Sequence, residues 1–130
     1  MIGIVVVTFE TLADSLLDVS RRIIGQARAV TPFGVQWDDD VERVRNRLAE
    51  LIDEVDQGEG VLLLTDIFGA TPSSVATAFY RPGKVEVVHG VNLPMIIKAM
   101  TLPGHIQVAE AARRLEQSGR HAIAVAGQLG

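Results

Sequence analysis

Three short polar segments hold the side chains that could do chemistry, and each one follows an apolar run of the chain. They span residues 8–10, 65–71 and 89–92. A carboxylate such as Asp66 can orient an imidazole by accepting its N–H. Gly69, followed by the start of a helix at Thr71, offers free backbone amides and a hydroxyl that suit a phosphoryl group. These residues could hold a phosphoryl group, but Thr71 and Pro72 also fit a plain N-cap and first helical residue, and on the residues alone this simpler interpretation outweighs the other.

The other polar residues of these segments have a structural interpretation beside a chemical one. Asn92 can donate to an oxyanion, but stabilising the turn at Gly90 is its simpler role. Glu10 suits the first turn of a helix, where an acid interacts favourably with the helix dipole. His89 falls at the carboxyl edge of a strand, where a hydrogen-bonded structural histidine is the simpler interpretation. The spacings of a catalytic triad and of a metal-binding histidine pair are absent.

Apolar patterning predicts the elements that must position these segments. Runs without alternation are typical of strands buried on both faces, and helical spacing marks the helices between them. Strands are predicted at 1–7, 61–64 and 85–88 and, more weakly, at 29–36 and 122–126, with helices after residues 10, 40, 71, 93 and 106. This order predicts one α/β domain over residues 1–130, with a mainly parallel sheet flanked by helices on both faces. Because ligands bind beyond the carboxyl ends of such strands, the three polar segments are expected to meet at one edge.

Composition limits the class of protein. The chain has 130 residues, of which 48% are apolar and 22% charged, and its formal net charge of −4 argues against nucleic-acid binding. The absence of cysteine excludes disulfides and thiolate zinc sites. Apolar runs are too short to span a membrane and no signal-peptide pattern is visible, so we expect a cytoplasmic protein. We expect no cofactor and no metal, and we interpret the acidic run 38–40 as a helix start, with a divalent metal site as the alternative.

Three stretches in the right order and spacing resemble the enzyme IIA domain of mannose-type sugar phosphotransferase systems. They are MIGIVVVT at 1–8, GVLLLTDIFGATP at 60–72 and GVNLPM at 90–95. The family pattern is a strand ending in Thr-His, an Asp-x-x-Gly-Gly-Ser/Thr-Pro loop and a Gly-Val-Asn-Leu/Ile-Pro-Met segment. The resemblance covers essentially the whole chain.

The resemblance implies a phosphoryl relay. Such domains accept phosphate from the histidine phosphocarrier protein onto a histidine after the first strand and pass it to enzyme IIB. They form homodimers that exchange the C-terminal strand, which would be 122–126 here. By position, Asp66 would orient the histidine, while Gly69, Ala70, Thr71 and Asn92 would hold the phosphoryl group.

The chain departs from the family at the acceptor itself, where Phe9 stands in the histidine position. Phenylalanine has no lone pair and cannot form a phosphoramidate. Ala70 replaces the second glycine of the loop, and Glu10 stands where glycine is common. The chain is therefore a natural pseudo-carrier or carries an introduced block, and a non-phosphorylatable regulatory binding module is the alternative function. A third idea makes His89 the acceptor, and a flavodoxin-like nucleotide or flavin binder is a distant alternative.

The missing imidazole also leads to an expectation about Asp66. If the carboxylate serves only to orient a histidine, it has no partner beside Phe9. Asp66→Asn is then expected to change stability little.

Overall fold

The computed structural model describes residues 1–25 and 28–129 of the chain. Strands and helices alternate as the apolar pattern predicts. The order is β1 (Gly3–Phe9), α1 (Leu12–Ile24), β2 (Thr31–Val35), α2 (Val41–Val55), β3 (Val61–Thr65), α3 (Thr71–Thr77), β4 (Val85–His89), α4 (Leu93–Met100), α5 (Val108–His121) and a short 3-10 turn (Ala126–Gln128).

The four strands form a parallel sheet in the order β2-β1-β3-β4. Its register pairs Gly3 with Val61 and Val61 with Val85, while Val5 pairs with Thr31. The central strands β1 and β3 are buried along nearly their whole length. This burial on both faces is the reason for their unbroken runs of Ile, Val and Leu.

Alternate residues of β1 face two separate apolar clusters. Ile4 and Val6 pack with Leu17 of α1 and with residues of α4 and α5. Val5 and Val7 pack on the other face against α2 and α3, where Leu48 is fully buried. Helices therefore cover both faces, and the predicted fold class is confirmed.

Helix ends follow the capping rules in part. The Asp40 carboxylate accepts from Glu42 N at the start of α2, as the acidic run predicts. Gly25 ends α1 with a φ of 75°, a conformation that favours glycine. The N-cap of α3 is Ala70 rather than Thr71, so the predicted Thr71 cap is wrong by one residue.

The end of the chain differs from the prediction. Residues 122–125 form no strand within this single chain, and the 3-10 turn Ala126–Gln128 follows them. Helix α5, which precedes these residues, continues to His121. Strand exchange in a dimer stays a prediction, because it requires a second chain. Among the helices in the described part of the chain, none has the length and apolar character needed to cross a membrane.

Candidate functional site

The crevice between the carboxyl ends of β1 and β3 is the switch point of the sheet. After β1 the chain turns to α1 on one face, and after β3 it turns to α3 on the other. Loops that leave a parallel sheet in opposite directions open a crevice between them, where ligands bind. The crevice lies between Phe9, at the end of β1, and Asp66, immediately after β3.

The Asp66 carboxylate is bonded to two backbone amides. Oδ2 accepts from Phe9 N at 2.9 Å, and Oδ1 accepts from Ile67 N at 2.9 Å. The carboxylate thus ties the end of β1 to the start of the loop after β3. The expectation that Asp66 has no partner beside Phe9 is wrong, because a backbone amide is present whatever side chain stands at position 9.

The Phe9 side chain stacks on Trp37, a residue that lies outside the three polar segments of the sequence. The ring centroids are 4.0 Å apart, and the planes are inclined by 18°. The Trp37 side chain is 72% exposed, so one indole face meets Phe9 while much of the rest meets solvent. One signal could have revealed the pair. Trp37 follows β2, whose carboxyl end lies beside that of β1.

The turn after Phe9 is tightly packed. Glu10 has a φ of 49°, in the left-handed region that favours glycine, and its side chain is exposed. Its N–H donates to Val35 O at 2.8 Å. A Cβ on Gly34 would lie 2.1 Å from Glu10 O, so only glycine fits opposite this turn.

The 66–70 loop is fastened to the helix that follows it. Gly69, with a φ of 95°, donates its N–H to Ser73 Oγ, and that hydroxyl donates to Ala70 O. The first-turn amides of α3, which include those of Thr71 and Ser73, have no partner within the helix. Gly69 and Thr71 also border a small hollow of about 190 Å³ with Arg45.

The side chain of Asn92 caps α4 instead of only shaping a turn. Its Oδ1 accepts from Met95 N at 3.1 Å, and its Nδ2 donates to Gly119 O at 3.3 Å. The amide therefore joins the start of α4 to α5. A Cβ on Gly119 would lie 2.7 Å from the Met95 sulfur, so a larger residue at this position would displace the Met95 side chain.

His89 lies one strand further from the crevice, beside the same loop. Its Nδ1 is 2.6 Å from Thr65 Oγ1, and its Nε2 is 3.4 Å from Thr77 Oγ1. The rings of Phe68 and His89 pack in an edge-to-face arrangement, with their centroids 5.2 Å apart. Burial lowers the pKa of His89 below its usual value, which favours the neutral imidazole.

Comparison with known proteins then decides the family. The sequence profile of the family described as PTS system fructose IIA component matches residues 3–116. The chain belongs to this family. It is a IIA component of the mannose/fructose type, as the sequence resemblance predicts.

Individual relatives agree with the assignment. YadI of Escherichia coli strain K12, which carries the name of a phosphotransferase enzyme IIA component, is 31% identical over 123 residues, covering 92% of this chain and 82% of YadI. The fructose-specific EIIA component of Bacillus subtilis strain 168 is 20% identical over 129 residues, covering 98% of this chain and 88% of the relative. The mannose/sorbose-specific IIA subunit from Enterococcus faecalis has a TM-score of 0.84 at 26% identity, covering 95% of this chain and 93% of that one. Membership in the family implies interaction with the phosphocarrier and with IIB or transporter components.

In this IIA component, the structure brings some of the predicted site residues together and separates others. Phe9 and Asp66 are in direct contact, and Gly69, Ala70 and Thr71 follow in the same loop and first helical turn. Asn92 lies beyond β4, and its amide is bonded to α4 and α5. Among the described residues, no cluster of three or more histidine, aspartate and glutamate side chains could hold a metal ion.

Proposed function

We propose that this chain is a IIA component whose phosphoryl-acceptor position is occupied by Phe9, so that it does not relay phosphate as it stands. The observation that carries the proposal is the Phe9 N–H bonded to the Asp66 carboxylate at the switch point of the sheet. In this family the histidine phosphocarrier protein donates the phosphoryl group and enzyme IIB accepts it. Residues 1–130 would form a single cytoplasmic domain that binds both partners. Contact with a membrane would be indirect, through a transporter complex.

The relay chemistry shows why the side chain at position 9 decides activity. An imidazole nitrogen attacks the phosphorus of the donor phosphohistidine, and the P–N bond to the donor breaks as the new P–N bond forms. The donor imidazole leaves with the electron pair of the broken bond. Phenylalanine has no lone pair to attack with, so the first bond cannot form at Phe9.

Intact mass after incubation with phosphoenolpyruvate, enzyme I and the phosphocarrier protein tests the proposal. We expect Phe9→His to gain one acid-labile phosphoryl group and the unchanged chain to gain none. Phe9→Leu is the matched control, because it changes the side chain without adding a nucleophile. A phosphoryl group on the unchanged chain would overturn the proposal and make His89 the first position to map.

A second function is a regulatory binding module that docks phosphotransferase partners without transferring phosphate. The exposed apolar residues around the crevice favour it. Trp37, Ile67 and Phe68 are 72%, 60% and 77% exposed. Apolar side chains gathered on one edge of a small domain are typical of a protein contact. Calorimetric titration with the phosphocarrier protein tests this function: we expect Trp37→Ala to weaken binding, and Tyr80→Ala, an exposed aromatic residue after α3, to leave it unchanged.

We also propose a homodimer in which residues 122–126 of each chain pair with the partner. Strand β4 is the edge of the sheet in a single chain, and its outer side borders a groove of about 600 Å³ that is lined by Val87, Val88 and Ile123 among others. Ile123 and Val125 are 80% and 65% exposed. An open strand edge beside exposed apolar residues supports pairing with a second chain.

A further inference from the structure

One side chain of β4, His89, contacts three places around the 66–70 loop. Its hydrogen-bond partner Thr65 immediately precedes the loop, and the other partner, Thr77, is the last residue of α3. Phe68, in the middle of the loop, packs its ring against the imidazole. The ring therefore touches the strand before the loop, the loop itself and the helix after it.

The hydrogen-bond network assigns the tautomer of His89. Thr77 Oγ1 donates to Ser73 O at 2.7 Å, and a hydroxyl has only one hydrogen to donate. Thr77 Oγ1 must therefore act as the acceptor in its contact with His89 Nε2, so Nε2 carries the hydrogen. Nδ1 of the neutral ring then carries the lone pair, and Thr65 Oγ1 donates to it. This assignment leaves no free lone pair on either nitrogen, so it argues against His89 as a phosphoryl acceptor.

We propose that His89 is a positioning residue for the 66–70 loop, and that its neutral Nε2–H tautomer holds both the loop and α3 against β4. Movement of α3 would move the loop as well, because Ser73 Oγ holds Gly69 N and Ala70 O. An effect of the 66–70 loop on phosphoryl transfer presupposes the proposed function, and this part of the inference rests on that function.

The neutral ring is the form that this environment favours. Thr65 is fully buried, and burial lowers the pKa of His89. The charged groups that face this region are Arg113, Glu116 and Arg120 of α5, which border the same groove, and Asp66, whose oxygens are bonded to backbone amides. Protonation would place a hydrogen on Nδ1, and the Thr65 hydroxyl would lose its acceptor.

The first experiment needs no phosphoryl transfer. Nitrogen-15 chemical shifts of the His89 ring at pH 7 should show a neutral imidazole with its hydrogen on Nε2. Amide hydrogen exchange at Gly69 and Ala70 should be about tenfold faster in His89→Ala than in the unchanged chain, because the loop opens locally. His89→Asn, whose amide oxygen can accept from Thr65, should restore part of the protection, and the exposed His105→Ala should change nothing.

The second experiment measures transfer on the Phe9→His background. We expect His89→Ala to slow phosphoryl acceptance and His89→Asn to recover part of the rate, with His105→Ala again as the control. If Phe9→His itself gains no phosphate, the proposed function fails while the exchange data still decide the role of His89.

Two results would overturn the inference. One is a His89 ring that is cationic or carries its hydrogen on Nδ1 at pH 7, a measurement that requires no variant. The other is unchanged exchange at Gly69 and Ala70 in a folded His89→Ala protein. If that variant does not fold, the ring shifts of the unchanged chain and exchange in His89→Asn decide the question.

Discussion

The Asp66 carboxylate joins two segments that are 57 residues apart in the sequence. One oxygen accepts from the amide of Phe9 and the other from the amide of Ile67. Charged acceptors form stronger hydrogen bonds than neutral ones, so this residue has a structural role that does not depend on a histidine.

We therefore predict that Asp66→Asn lowers the free energy of unfolding by about 1–3 kcal/mol. Asparagine keeps one acceptor oxygen, but its NH₂ group would face one of the two donor amides. Urea unfolding of the two proteins measures the difference. Asp38→Asn, a change of the same chemistry at an exposed position, serves as the control, and equal free energies for both variants would contradict the structural role.

His89 leads to a prediction about pH. In the unfolded chain, a histidine titrates near pH 6.5, whereas burial lowers the pKa of His89 in the fold. The unfolded state therefore binds the proton first as the pH falls. The stability that the neutral ring contributes is complete above about pH 6.5 and is lost as the pH falls through the folded pKa.

The expected result is a melting temperature that decreases from pH 7.5 to pH 5.5, with a smaller decrease in His89→Asn. His105 and His121 are exposed and remain in both proteins, so the difference between the two curves reports His89. Parallel curves would show that another group causes the pH dependence.

At the scale of elements, the start of α1 depends on a residue of the preceding strand. Thr11 is the N-cap by position, yet its side chain makes no capping hydrogen bond. The buried Thr8 of β1 supplies it instead, because its Oγ1 accepts from Ala13 N at 2.9 Å. One hydroxyl thus connects the sheet with the helix that leaves it.

This geometry predicts different effects for two similar substitutions. Thr8→Val keeps the shape and removes the acceptor from a buried amide, so it should lower the free energy of unfolding by about 1–2 kcal/mol. Thr11→Val should lower the free energy of unfolding much less. Chemical unfolding of both variants gives the comparison, and a larger loss for Thr11→Val would reverse the assignment of the cap.

At the scale of the whole molecule, the sheet is open at β4. The groove beside it and the exposed apolar residues after α5 lie on the same side, since Ile123 borders the groove. The other edge, β2, carries Pro32, which has no N–H to donate to another strand. A second chain is therefore expected to pair at β4.

We predict a dimer in light scattering at micromolar concentration and a shift toward monomer in Ile123→Asp. A charge in place of this isoleucine would have to be buried on pairing, which is costly. Ile23→Asp is the control, because Ile23 is also exposed but belongs to α1. A monomeric unchanged chain would contradict the proposed dimer.

Much of the fold could be predicted from local patterns. The runs at β1 and β3 indicate strands buried on both faces, and the helical spacing of Leu48, Leu51 and Ile52 indicates one face of α2. Asp40 marks the start of α2 because its carboxylate accepts from a free amide, and Gly25 marks the end of α1 because it adopts a positive φ. These signals lie within a few residues of the feature they predict, and for that reason the sequence shows them.

Local sequence patterns suffice to predict the order of the elements from β1 to α5, the parallel sheet, the family and the absence of a nucleophilic side chain at Phe9. Three contacts become visible only in the folded chain: Asp66 bonds to backbone amides, Trp37 stacks on Phe9, and His89 joins Thr65 to Thr77. These contacts connect different elements, and each forms only when the sheet places its carboxyl ends side by side. Apolar periodicity records which faces are buried, but it does not record which polar atoms meet across an edge.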